Sequence, residues 1–238
     1  MSPLRKTALA AGVLYVLTFI SIPTLFLYGQ VRSPTYILGP GPDTAVIVGG
    51  MLEMIVALAG IGTAVVLYPV LKRQNEGVAL GFVGSRTLEA AMIFAGVAML
   101  LSVVTLRQAG VGGAGLVIAR VLVVLYDRIF LISQSFFAAV NALLLGSLLY
   151  RSRLVPRALP LLGFTGAVLL VGAFVGTMFN VWGQHSSVPS LAAIPIALWE
   201  FSLGVYLIVK GFKSSPITSS MTVLEVKGAS PSPVVASG

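Results

Sequence analysis

Six stretches of the chain, roughly 7–28, 44–70, 78–104, 121–149, 158–180 and 190–210, are apolar almost throughout and are separated by short polar segments. A bilayer core about 30 Å thick needs about 20 helical residues to cross it, and every run is that long. In lipid, a helix satisfies its own backbone polar groups where water cannot. The pattern therefore predicts an all-α fold, a polytopic bundle of six transmembrane helices formed by residues 1–213. The first run opens with Arg5 and Lys6 as a secretory signal would. It lacks a small-residue cleavage site and exceeds the usual apolar core of about 7–15 residues, so it is read as a retained helix.

Composition agrees: hydrophobic residues make up 57% of the chain and charged ones 9%, far below the roughly 25% of a soluble domain. The net charge of +8 does not point to nucleic acid, because the basic residues gather in alternate loops rather than on one aromatic-studded segment. Arg5, Lys6, Lys72, Arg73, Arg151, Arg153, Arg157, Lys210 and Lys213 fall beside ends that six spans place on the N-terminal side. The opposite loops offer Arg32 and Arg107, with Arg120 at a helix mouth. By the positive-inside rule both termini are cytoplasmic. Residues 214–238, rich in Ser, Pro and small residues, read as a disordered cytoplasmic tail, and the Gly/Pro-rich loop at 29–43 as an ordered or partly ordered outer connection.

Charges inside the spans change the picture most. Arg86 and Glu89 together cost roughly 5–7 kcal/mol at a helix centre, and the Leu, Ile, Val and Phe residues of 78–106 return roughly 4–8. Span three is close to break-even alone, so neighbours must solvate the pair. The other spans offer Glu53, Asp127, Arg128 and Glu200. Helical phase turns these groups inward: Gly49, Glu53, Ala57, Gly60 and Ala64 share a stripe, as do Gly77, Gly81, Ser85, Glu89 and Gly96, and Ala193, Ala197, Glu200 and Gly204. Arg120, Asp127, Gln134 and Asn141 recur every seven residues, two near-integral turns, as a polar seam in span four. Pro195 removes a backbone donor and should kink span six beside Glu200.

Several chemistries are excluded or weakened. With no cysteine and a single histidine, His185, the chain offers no disulfide, thiol or iron–sulfur chemistry and no Cys/His zinc set. No HExxH is present. An intramembrane aspartyl site at Asp127 would need Asp43 from a loop, and Ser186 and Ser187 beside His185 lack a glycine-framed nucleophile turn. No cofactor or catalytic residue is assigned. His185 reads as a solvated loop residue.

Two hairpins echo each other: LYPVLKRQNEGVALGFVG at 67–84 and LYRSRLVPRALPLLGFTG at 149–166 share an LY opening, a basic loop and a GFxG entry. They are read either as a parallel duplication or as two cytoplasmic hairpins that the membrane boundary shapes alike. RKTALAAGVLYVLTFI, LYPVLKRQNEGVALGFVGSRTLEA, VNALLLGSLLYRSRLVPR and IPIALWEFSLGVYLIVKGF together resemble the bacterial multi-pass membrane family known as domain of unknown function 4386, over nearly all of residues 4–213. The resemblance implies a bacterial inner-membrane protein of about six spans and carries no activity, cofactor or site residue with it.

The site expected from the residues is a polar cluster of Glu53, Arg86, Glu89, Arg120, Asp127, Arg128, Gln134, Asn141 and Glu200. Its surplus of acids suits a cation or small polar solute in a transporter-like or ligand-binding role. The competing readings are a salt-bridge lattice in a membrane scaffold or complex subunit, which docks a homo-oligomeric or membrane partner through its small-residue stripes, and an intramembrane enzyme acting on lipid. The last lacks a recognisable nucleophile or metal set.

Overall fold

The computed structural model describes residues 1–39 and 42–219. Among them every regular element is helical: α1 Pro3–Leu17, α2 Thr24–Leu27, α3 Thr44–Leu71, α4 Glu76–Gln108, α5 Leu116–Leu131, α6 Ala138–Ser152, α7 Ala158–Met178 and α8 Ser187–Val209. Five segments are long and apolar enough to cross a membrane: Pro3–Leu27, Thr44–Leu71, Glu76–Gln108, Ala158–Met178 and Ser187–Val209. The remaining apolar stretch is helical too, but a π-helical segment, Ile132–Phe137, joins α5 to α6 and divides it into shorter pieces.

Local chemistry explains the helix boundaries. Ser2 caps α1, its Oγ accepting from the Arg5 amide, and Pro3 occupies a first-turn position where its missing N–H costs nothing. Asn75 caps α4, its Oδ1 accepting from the Val78 amide at 3.0 Å. Arg153 stops α6 in the left-handed conformation, φ 56°. Pro195 lies inside α8, which continues through it.

The helices close a ring: α1 packs on α3, α3 on α4, α4 on α6, α6 on α7, α7 on α8, and α8 back on α1. An apolar cluster fills the end near the termini, with Tyr15, Leu67, Phe82, Leu145, Leu149 and Leu203 in it. A second, built around Tyr28, Ile37, Val103 and Tyr126, seals part of the far end. Large residues such as Leu58, Val65, Leu88 and Val168 are exposed on the outside of the ring, the placement a lipid surround favours. Where helices meet most closely, glycine makes room: a side chain at Gly166 would collide with the α8 backbone at Ile196.

At the terminal end Arg5 donates to the Leu207 carbonyl at 2.8 Å and also to that of Ile208, so a cation meets carbonyls at the C-terminal turn of α8. Residues 214–219, which composition assigned to the tail, are placed: 216–219 form a helical turn, and Ser215 Oγ donates to the Ser152 carbonyl. The rest of the expected tail, 220–238, lies outside the described residues. The two echoing hairpins differ in detail. Gly163 is buried under the Trp199 ring, whereas Gly81 is exposed.

The outer connection is clamped at Asp43. Arg107 donates to Asp43 Oδ1 at 2.8 Å and to the Gly39 carbonyl at 2.9 Å, Tyr36 Oη donates to Oδ1 at 2.6 Å, and Gln108 donates to Oδ2 at 3.0 Å. The guanidinium also lies 4.1 Å from the Tyr36 ring centroid. Burial by itself would raise the Asp43 carboxyl, but hydrogen bonds from Tyr36 and Gln108 and the Arg107 charge outweigh it and hold the carboxyl below the usual aspartate range. A carboxyl lowered in the folded state stabilises it at pH values above the unfolded pKa, and the contribution disappears as acidification passes through the folded value. Thermal stability in detergent should therefore fall steeply only below the ordinary aspartate range, and Asp43→Asn should flatten that acid limb.

Candidate polar site in the bundle interior

Arg86 sits about a third of the way along α4, 5% exposed, and reaches two carboxylates. Its Nη1 lies 2.9 Å from Glu89 Oε2 on the next turn, and its Nη2 lies 2.6 Å from Glu200 Oε1 on α8. Asn141 on α6 donates to the same Glu89 oxygen at 2.7 Å. The guanidinium carbon is 5.7 Å from the Tyr15 ring centroid and 5.9 Å from that of Phe82. Side chains from α1, α4, α6 and α8 thus converge on one cation. This is what the energetics of span three require, since a lone arginine in hydrocarbon is costly and a paired one is tolerated. The remaining carboxylate oxygens, Glu89 Oε1 and Glu200 Oε2, accept no hydrogen bond from the described residues.

A cavity of about 540 Å³ borders this group. Arg86, Glu89 and Glu200 line it, together with Gly60 of α3, Gln134 and Ser135 of the π segment, and Gln184, His185 and Ser190 at the far end. The widened π turn places an extra residue in the helix and so rotates the side chains beyond it, and such turns recur at functional sites. Here it contributes polar side chains to the cavity wall in the middle of an apolar helix.

Glu53 stands apart. It is buried on α3 and accepts from Tyr126 Oη at 2.7 Å, and the Tyr126 ring packs edge-on against Tyr28 with centroids 5.5 Å apart. It lines a neighbouring chamber of about 180 Å³ that shares Ile93, Phe130 and Gln134 with the larger one. Asp127 forms a third centre nearer the far end. Arg32 Nη2 lies 3.1 Å from its Oδ1, His185 Nε2 lies 3.6 Å from the same oxygen, and Gln184 donates to its backbone carbonyl at 2.7 Å. Each aspartate, Asp43 and Asp127, is thus tied to its own arginine.

The nine residues expected to form one cluster therefore divide. Arg86, Glu89, Asn141 and Glu200 are in direct contact, and Gln134 lines the adjoining cavity. Glu53 and Asp127 occupy separate centres, and Arg120 and Arg128 are both exposed, outside the group. The seven-residue seam holds for Asp127, Gln134 and Asn141 only in the loose sense that none is exposed; Arg120 falls on the outside. Sequence reasoning missed Tyr15, Tyr126, Arg32 and His185 as partners. Tyr126 could have been found by phase: it precedes Asp127 and falls one helical turn from Leu122 and Phe130. Arg32 and His185 carry no such signal, because loop residues reach their partners through chain turns that periodicity does not encode. Among the described residues, no three His, Asp or Glu side chains are grouped to hold a metal ion.

Apolar helices around a charged, cavity-bearing interior define a helical membrane protein with a polar core. The profile of a family described as a domain of unknown function (DUF4386) matches residues 10–211, and the chain belongs to that family. Searches among curated proteins and among solved structures give no match.

Proposed function

We propose that the protein is a multi-pass protein of the bacterial inner membrane that binds a small solute in its interior cavity, in the manner of a transporter. The reading takes residues 116–152 as a sixth span and both termini as cytoplasmic. Several observations support this topology: α5, the π segment and α6 form an unbroken helical run, and basic residues cluster at the end where Arg5 meets α8 and Lys213 meets Leu154. Under that orientation the apolar cluster closes the cytoplasmic side, and the cavity reaches toward the outer loop at Gln184 and His185. Since the chain has no cysteine, single cysteines can report the topology directly. A membrane-impermeant maleimide added to intact cells should label Ser187→Cys, at an exposed position, and leave Gln74→Cys unlabelled until the cells are opened.

The observation that carries the functional reading is the cavity wall itself: one guanidinium faces two carboxylates whose second oxygens remain open, beside a space large enough for a small molecule. Ionisable groups inside a membrane bundle mark solute pathways more often than they serve packing alone. A scaffold reading draws support from the double engagement of Arg86, which a purely structural lattice would also show. Glu200→Gln separates the two. It keeps a hydrogen-bond acceptor for Arg86 and removes the charge that a bound solute would meet. Solute binding by purified protein, or uptake by proteoliposomes, should fall by about tenfold or more while the thermal midpoint changes little. A lost midpoint with unchanged binding or uptake would favour the scaffold.

A further inference from the structure

Resting on the reading of the cavity as a solute site, we propose that its ligand is an organic cation: a protonated amine carried on an apolar body. The ammonium lies against Glu200 and Glu89, and the body lies along the wall formed by Ile93, Phe130, Leu170 and Ile196. Three independent features point this way.

Charge comes first. Arg86 compensates one of its two carboxylates, so the ionised group carries a formal charge of −1, and an anion entering the cavity would meet Glu89 and Glu200 rather than an unengaged guanidinium. An ammonium has N–H donors to give to the open oxygens Glu89 Oε1 and Glu200 Oε2 and restores neutrality in a medium where an uncompensated charge is expensive.

Size and donor chemistry argue against a bare divalent ion. A cavity of about 540 Å³ is in the range that holds a drug-sized molecule, roughly 300–1,000 Å³. A divalent ion such as calcium takes about 6–8 oxygen ligands in a close shell, and the described residues group no three carboxylate or histidine side chains.

The wall supplies the third feature. Most of it is aliphatic or aromatic, with Phe19 and Phe130 among its residues, while Thr18, Ser21 and Gln134 provide scattered polar atoms. An inorganic cation gains nothing from such a wall. An amphiphilic amine buries its body there at roughly 25 cal/mol per Å², and an aromatic face adds attraction for the charge.

The test uses the full chain in lipid nanodiscs, titrated calorimetrically at neutral pH with three ligands that share one body: 2-phenylethylammonium, 2-phenylethanol and 3-phenylpropanoate. Empty nanodiscs supply the partitioning background. The ammonium is expected to bind at least about tenfold more tightly than the alcohol, with the carboxylate weakest, and Glu200→Gln should remove that preference without weakening the alcohol. Equal binding of alcohol and ammonium, or preference for the carboxylate, would overturn the cation while leaving the cavity a solute site. Absence of binding by all three would overturn both. The wild-type series decides between these outcomes even if the variant fails to fold.

Discussion

Replacing Arg86 by methionine is expected to destabilise the protein by about 3–5 kcal/mol, the cost of removing one partner from a buried ionic group. The loss comes less from the missing bonds than from what remains. Glu89, 5% exposed, and Glu200 would share the space around the empty guanidinium position with no cation between them, and the Asn141 amide would be left to solvate one oxygen alone. Neutralising the survivors should restore much of the loss, because a lattice replaced as a whole is often no less stable than the original. The triple variant Arg86→Met/Glu89→Gln/Glu200→Gln should therefore unfold at a denaturant concentration well above that of Arg86→Met alone, measured by circular dichroism in mixed micelles. A single variant as stable as the parent would mean that the carboxylates find water or each other with ease, and the interior would then be wetter than its apolar walls suggest. The experiment also bears on function, since a stable, uncharged triple variant gives a folded background in which any cation preference should be absent.

How much of this arrangement the sequence reveals depends on which periodicity governs each residue. The straight helices were readable: in α3, Gly49, Glu53, Ala57, Gly60 and Ala64 are all buried, as a stripe with steps of three and four residues requires. The contact of Arg86 with Glu89 is local, one helical turn, and its partner on α8 followed from the need to solvate it. Phase alone failed in two places. In α4 the stripe holds for Ser85, Glu89 and Gly96, but Gly77 and Gly81 are exposed while Ala79 and Phe82 of the same turns are buried, so the inward face at the start of the helix runs through Ala79 and Phe82 instead. In the α5–α6 run the π segment adds a residue to one turn, so a seven-residue repeat counted through it drifts off the inward face. Arg120 is on the outside while Asn141 is fully buried. The separation of Glu53 from the Arg86 group was illegible for a different reason. Depth along the helices put the two at similar heights, and only packing shows that Tyr126, rather than a cation, meets Glu53.

Gly12→Ala is expected to be among the most damaging single-methyl additions, at about 1–3 kcal/mol, whereas Gly84→Ala on α4 should be neutral or stabilising by roughly 0.5–1 kcal/mol. A Cβ at Gly12 would fall 2.6 Å from the Gly204 carbonyl oxygen and 2.9 Å from the Ile208 amide nitrogen, both backbone atoms of α8 that no rotamer change can move. At Gly84 nothing lies within 4 Å, so the methyl only removes backbone freedom from the unfolded chain. The distinction reaches the polar site because α1 and α8 bring Tyr15 and Glu200 to the same guanidinium, that of Arg86. Forcing these helices apart at Gly12 pulls on the Arg86–Glu200 contact from one turn beyond Tyr15, while Glu89, on the same helix as Arg86, keeps its bond. Gly12→Ala should consequently weaken solute binding as well as stability, and adding Glu200→Gln to it should weaken binding less than Glu200→Gln does in the parent. Strict additivity of the two substitutions, measured as a double-mutant cycle in binding free energy, would show instead that the α1–α8 seam holds the fold without setting the position of Glu200.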